Sequence, residues 1–218
     1  MTRARVVLLA ACAAAFLAPA ALACPKGYSY AGLYSPSRAS GIAATISLLD
    51  TPVAFGQTSH VAGWVGVGGP GLGPNGADEW LQAGVATFGG SGGRLYYELA
   101  RPGAPPQYQE LASGIVPGTK VRVAVMELPY ARDQWIVVSP AGMSGPFYLP
   151  RSHRAWAPVA TAESYAETHR CNRYAYRFDG LQLARGDGTW RTMQRAETLQ
   201  DPGWRVRRTG AAFSATAA

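Results

Sequence analysis

Trp80-Leu81-Gln82-Ala83-Gly84-Val85 is the stretch on which the reading of this chain turns. A strand sends alternate side chains to opposite faces, so Gln82 shares a face with Trp80 and Gly84, and Leu81, Ala83 and Val85 share the other. The second face is purely aliphatic and suits a sheet-to-sheet core. The first sets an amide beside an indole, which belongs at a ligand surface or needs an internal partner. A distant stretch, Ala162-Glu163-Ser164-Tyr165-Ala166-Glu167, repeats the pattern with Glu163, Tyr165 and Glu167 on one face. If one sheet holds both, an amide and a carboxylate meet in an aromatic-lined groove. A water-activating hydrolase needs that arrangement, and a sugar- or peptide-binding surface also fits it.

Neighbouring segments extend both faces. In residues 60–68, Trp64 and Gly66 oppose Val65 and Val67; in residues 94–99, Tyr96 and Glu98 oppose Leu95, Tyr97 and Leu99. Trp64, Trp80, Gln82, Tyr96, Glu98, Glu163, Tyr165 and Glu167 thus form a candidate site, with Gly66 and Gly84 leaving room between them. Asp78 and Glu79 are expected on the rim of the glycine-rich loop 68–76, and His60 is expected to brace the strand leading to Trp64. That loop lacks the Lys-Ser/Thr ending and following helix of a phosphate-binding loop.

The same pattern sets the fold class. The chain has 26 Gly and 16 Pro in 218 residues. They separate short β-rich runs at residues 42–49, 60–67, 79–88, 94–99, 121–128, 134–138, 160–167 and 173–184, with shorter runs at 189–195 and 204–206. Regular short strands between turn signals predict an all-β sandwich or barrel, and no stretch sustains a helical period.

Residues 1–23 read as a signal peptide: Arg3 and Arg5, an apolar run over residues 6–17, then Ala21-Leu22-Ala23 as a cleavage site. The run is too short to span a membrane. Lipid anchoring at Cys24 is disfavoured, because the aliphatic residue stands one position late for such a signal. A single β-sandwich domain is expected over residues 24–208, followed by a flexible tail at 209–218. The net charge of +7 falls by the two signal arginines on cleavage. The remaining arginines are scattered, apart from Arg205, Arg207 and Arg208, which are read as a solvated strand face. Nothing there suggests a nucleic-acid partner. Cys12 leaves with the signal, so Cys24 and Cys171 are expected to pair in an oxidising compartment. His60, His153 and His169 show no ligand spacing; no metal and no cofactor is expected, and the protein is read as a monomer.

Trp64-Val65-Gly66-Val67-Gly68-Gly69, Leu81-Gln82-Ala83-Gly84-Val85, Tyr96-Tyr97-Glu98, Val116-Pro117-Gly118 and Ala162-Glu163 with Glu167 occur in an order that resembles the eqolisins, the secreted glutamic peptidases. The resemblance extends over residues 54–184. It implies a concanavalin A-like jelly-roll β-sandwich, with Gln82 and Glu163 as the catalytic pair and a polypeptide substrate. Glu163 would take a proton from water and return it to the leaving amine. The Gln82 amide would donate to the oxyanion, and activity would lie at acidic pH. The chain departs from the family pattern at Gly68, Ser164 and Thr119.

Other readings of the same face remain open at this level. A lectin-like sandwich would stack an extracellular glycan on Trp64, Trp80, Tyr96 and Tyr165. A retaining glycosidase would need two carboxylates about 5 Å apart. Glu163 and Glu167 in an extended strand would stand about 13 Å apart. A serine hydrolase finds no nucleophile elbow.

Overall fold

In the computed structural model, which describes residues 24–89 and 92–217, almost all regular structure is extended. The strands are β1 (Gly27–Tyr34), β2 (Gly41–Leu48), β3 (His60–Gly69), β4 (Glu79–Phe88), β5 (Gly93–Ala100), β6 (Gln107–Ile115), β7 (Lys120–Glu127), β8 (Gln134–Ser139), β9 (Gly142–Tyr148), β10 (Val159–Ala166), β11 (Ala175–Ala184), β12 (Trp190–Thr192), β13 (Glu197–Gln200), β14 (Trp204–Thr209) and β15 (Ala212–Ala217). A 3-10 turn, Pro74–Gly76, interrupts the loop between β3 and β4. No helix among the described residues is long and apolar enough to cross a membrane. The expected signal peptide lies outside the described residues.

Two antiparallel sheets pack face to face. One runs β13-β1-β10-β3-β4-β5-β6 and the other β14-β15-β11-β2-β7-β8-β9, with β12 added beside β11. The fold is a jelly-roll β-sandwich, and the period-two pattern explains it. Val61, Val65, Val67, Leu81, Ala83 and Val85 turn inward from the first sheet. Ile42, Ile46, Val121, Val123, Val125, Tyr176 and Phe178 meet them from the second. Burying each large side chain is worth about 1.5–3 kcal/mol. Gly63 is required at the seam: a Cβ there would lie 2.7 Å from Cδ1 of Tyr176. Cys24 and Cys171 are joined, tying the first described residue to the turn after β10 across 147 residues of chain. A bond of this kind fits an oxidising compartment.

The expected tail at 209–218 is corrected by the structure. Residues 212–217 form β15, hydrogen-bonded between β14 and β11. Phe213 is fully buried and stacks on Phe178 with centroids 4.4 Å apart. Small Ala, Ser and Thr residues looked like a frayed end, yet they suit a strand squeezed between two others. The sandwich therefore continues past residue 208. Arg205 and Arg207 share a face of β14 as expected, while Arg208 alternates away and donates to the Ala196 carbonyl.

Candidate active site

The groove lies on the outward face of the first sheet, where register forms rows across the strands. Tyr30, Glu163, Ala62 and Ala86 stand side by side on β1, β10, β3 and β4. The next row on this face is Thr161, Trp64, Gly84 and Tyr96, and the one after is Val159, Gly66, Gln82 and Glu98. Glu163 and Gln82 therefore occupy opposite corners of a patch, with Trp64 on the diagonal between them. Ala62, Gly66, Gly84 and Ala86 give the patch a low floor. Gly84 is required by close approach, since a Cβ there would lie 2.6 Å from the Trp64 Cα.

Above this floor is a cavity of about 750 Å3. Its lining includes Trp64, Trp80, Gln82, Tyr96, Glu98 and Glu163, six of the eight residues expected from sequence. Tyr165 stands at its edge, stacked on His60 with centroids 5.5 Å apart. Glu167 is not part of the groove. It lies just past the end of β10, exposed, and its Oε2 accepts hydrogen bonds from the Thr58 backbone N–H and hydroxyl at 3.1 Å. The Thr58 N–H and then its hydroxyl hold that carboxyl below its ordinary range. Through Thr58, Glu167 ties the end of β10 to the turn before β3, outside the residues that line the cavity.

Glu163 is 6% exposed and has two partners. The Trp64 indole N–H donates to Oε2 at 3.1 Å, and His60 Nε2 lies 3.2 Å from Oε1. Partners at both oxygens of a buried carboxylate fix its orientation. The Gln82 side chain donates to the Tyr96 hydroxyl at 3.3 Å, so its amide is aimed along the groove and held without a bond to Glu163. Burial first, then the charges of Glu163 and Glu98, push the Tyr96 hydroxyl far up, keeping it neutral. Glu98 accepts from the Trp80 indole at 2.9 Å. Its carboxyl is pushed up by burial, against the opposing Trp80 bond and with a further contribution from Glu163. Among the described residues no group of acidic, histidine or cysteine side chains could hold a metal ion.

Sequence reasoning missed several lining residues: Tyr28 and Tyr30 of β1, His60, Phe88 and Tyr108. For His60 and Phe88 the signal was present, because they have the parity of Trp64 and Gln82 on their strands. Tyr28, Tyr30 and Tyr108 lie on strands that went unrecognised. The rings pack partly on one another, Tyr96 on Tyr108 at 5.0 Å and Phe88 edge-on to Tyr108 at 5.4 Å.

No protein-family model matches the chain, and no curated protein does. Solved structures do match. Scytalido-glutamic peptidase, bound to a peptide-based transition-state analogue, superposes with a TM-score of 0.59 at 14% identity, covering 88% of this chain and 98% of that one. SCP-B, a member of the eqolisin family of peptidases in complex with the tripeptide Ala-Ile-His, gives 0.57 at 15% identity over the same shares. The order of motifs read from sequence and the architecture now agree: this chain has an eqolisin-like fold.

Proposed function

We propose that the protein is an exported glutamic-type endopeptidase that cleaves polypeptides in the groove. The observation that carries this reading is Glu163, buried and held by Trp64 and His60, sharing one groove with the Gln82 amide on an eqolisin-like sandwich. A peptide lies in the groove with its scissile carbonyl over the low floor. The Glu163 carboxylate takes a proton from water as the water oxygen bonds to the carbonyl carbon. The carbonyl oxygen becomes an oxyanion, and the Gln82 N–H donates to it, a contact worth roughly 3–4 kcal/mol when well placed. Glu163 then gives the proton to the departing amine as the C–N bond breaks. Trp64 and His60 hold the carboxylate still throughout. The protein acts as a monomer.

Glycan stacking is the weaker reading, because Tyr96 and Tyr108, and His60 and Tyr165, already place ring faces against each other. The test is digestion of a denatured protein by mature chain between pH 2 and 7, beside Glu163→Gln. Cleavage limited to acid and lost in the variant supports the proposal. A folded protein that cleaves nothing at any pH overturns it.

A further inference from the structure

The two sheets turn faces of opposite charge to solvent. Strand parity sends Lys120, Arg122, Arg177, Arg205 and Arg207 outward from the second sheet, with Asp179 the one carboxylate there among the described residues. On the groove sheet the balance is reversed, and Glu98, Glu110, Glu163 and Glu197 point outward against Arg94. A positive and a negative face thus lie on opposite sides of one sandwich.

Register orders the positive face. Arg207, Ser214, Arg177, Ser47 and Lys120 stand side by side on β14, β15, β11, β2 and β7. Adjacent strands are about 4.8 Å apart, so a cation recurs on every second or third strand of this row, about 10 Å from the next. Only serines stand between the cations, which leaves the row flat. Arg205 and Arg122 add a charge two residues away on β14 and β7. Arg122 is held by the Gly180 carbonyl at 2.8 Å and by Gln182. Asp179 takes Nε and Nη2 of Arg177, and Nη1 stays outside that pair. Lys120, Arg205 and Arg207 are exposed, and among the described residues no carboxylate lies within ion-pair distance of them.

We propose that this face binds an acidic polysaccharide with one carboxylate per disaccharide, and so holds the protein with its groove turned to solvent. A step of about 10 Å is close to the length of two sugars in an extended chain. Successive carboxylates of such a chain meet Arg207, Arg177 and Lys120 in turn. Each exposed contact is weak by itself, and the repeat multiplies it along the polymer. The row has no ring on which a nucleotide base could stack, and no apolar side chain to enter a lipid layer. Charge complementarity carries the interaction, in contrast to the aromatic groove on the other sheet. The inference does not depend on the peptidase reading.

The test is calorimetric titration of the mature chain with hyaluronate oligosaccharides, which carry a carboxylate on every second sugar, beside uncharged dextran. Hyaluronate should bind more tightly as the oligosaccharide lengthens and more weakly as salt rises, and dextran should not bind. Lys120→Gln, Arg205→Gln and Arg207→Gln combined should weaken hyaluronate binding at least about tenfold. The same substitution at Arg38, Arg132 and Arg185, exposed positions outside this face, removes equal charge and should cost about twofold or less. Equal losses in the two triple variants would reduce the effect to net charge and overturn the proposal, as would no binding at low salt. Vesicles of equal parts phosphatidylglycerol and phosphatidylcholine, and a short DNA duplex, serve as competing partners. Tighter binding to either one, lost in the first variant and kept in the second, would overturn the polysaccharide in favour of a membrane or a nucleic acid.

Discussion

Glu163 and Glu79 are both buried carboxyls of the groove sheet, 6% and 0% exposed, and they lie in opposite surroundings. Glu163 faces the groove with an indole and an imidazole at its oxygens. Glu79 opens β4 three residues before Gln82, so alternation turns it to the other side, beneath the loop that Gly73 crosses. Among the described residues neither of its oxygens has a hydrogen-bond partner. Burial first, then the nearby charge of Asp133, push the Glu79 carboxyl up to about 7. Burial alone therefore does not decide what a carboxyl can do; the donors supplied to it do. A carboxylate held by donors can serve as a base, while one without them stays protonated through the acid range.

Exchanging the two should show the largest contrast. Glu163→Gln is expected to lower kcat/KM for a peptide substrate by 10³-fold or more, as for loss of an essential base (roughly 4 kcal/mol,). Glu79→Gln should leave it within about twofold. Gln82→Ala comes next, with a loss of about 10²–10³ in kcat and an unchanged unfolding transition. The third contrast concerns stability. Folding holds the Glu79 proton, so its contribution is complete below the ordinary carboxyl range near 4.5 and is lost as pH rises through about 7. Discounted for solvent screening, the loss is on the order of 2 kcal/mol. Urea unfolding of wild type should weaken by that amount from pH 4.5 to above 7, and the Glu79→Gln curve should lack this component. The smallest effect is at Glu98. Trp80→Phe removes its indole donor and should raise the Glu98 titration midpoint further, read by carboxyl 13C shifts, with stability changed by about 1 kcal/mol or less.

The groove was largely legible because β3, β4, β5 and β10 alternate cleanly between aliphatic and polar or aromatic residues. The strands that escaped notice lack that contrast. β6 is polar and mostly exposed at a sheet edge, and β9 carries Pro146, which an edge strand tolerates. β1 alternates tyrosines with small residues and lies too close to the expected cleavage site to stand out. Its loss from the reading hid Tyr28 and Tyr30. Glu79 was expected on the loop rim with Asp78, whose Oδ1 does accept the Gly71 N–H there. No local pattern distinguishes a rim carboxyl from one covered by a folded-back loop. His60 was assigned a bracing role because its partner Glu163 is 103 residues away, and only the pairing of β3 with β10 brings them together.

The central claim is that Glu163 and Gln82 act on the same bond. A crystal structure of the mature chain with a peptide-based transition-state analogue tests it most directly. The tetrahedral centre should lie over the low floor at Ala62, Gly66 and Gly84, with one oxygen within hydrogen-bond distance of the Glu163 carboxylate and the other near the Gln82 amide. An analogue seated in the groove with its tetrahedral centre remote from either side chain would contradict the account.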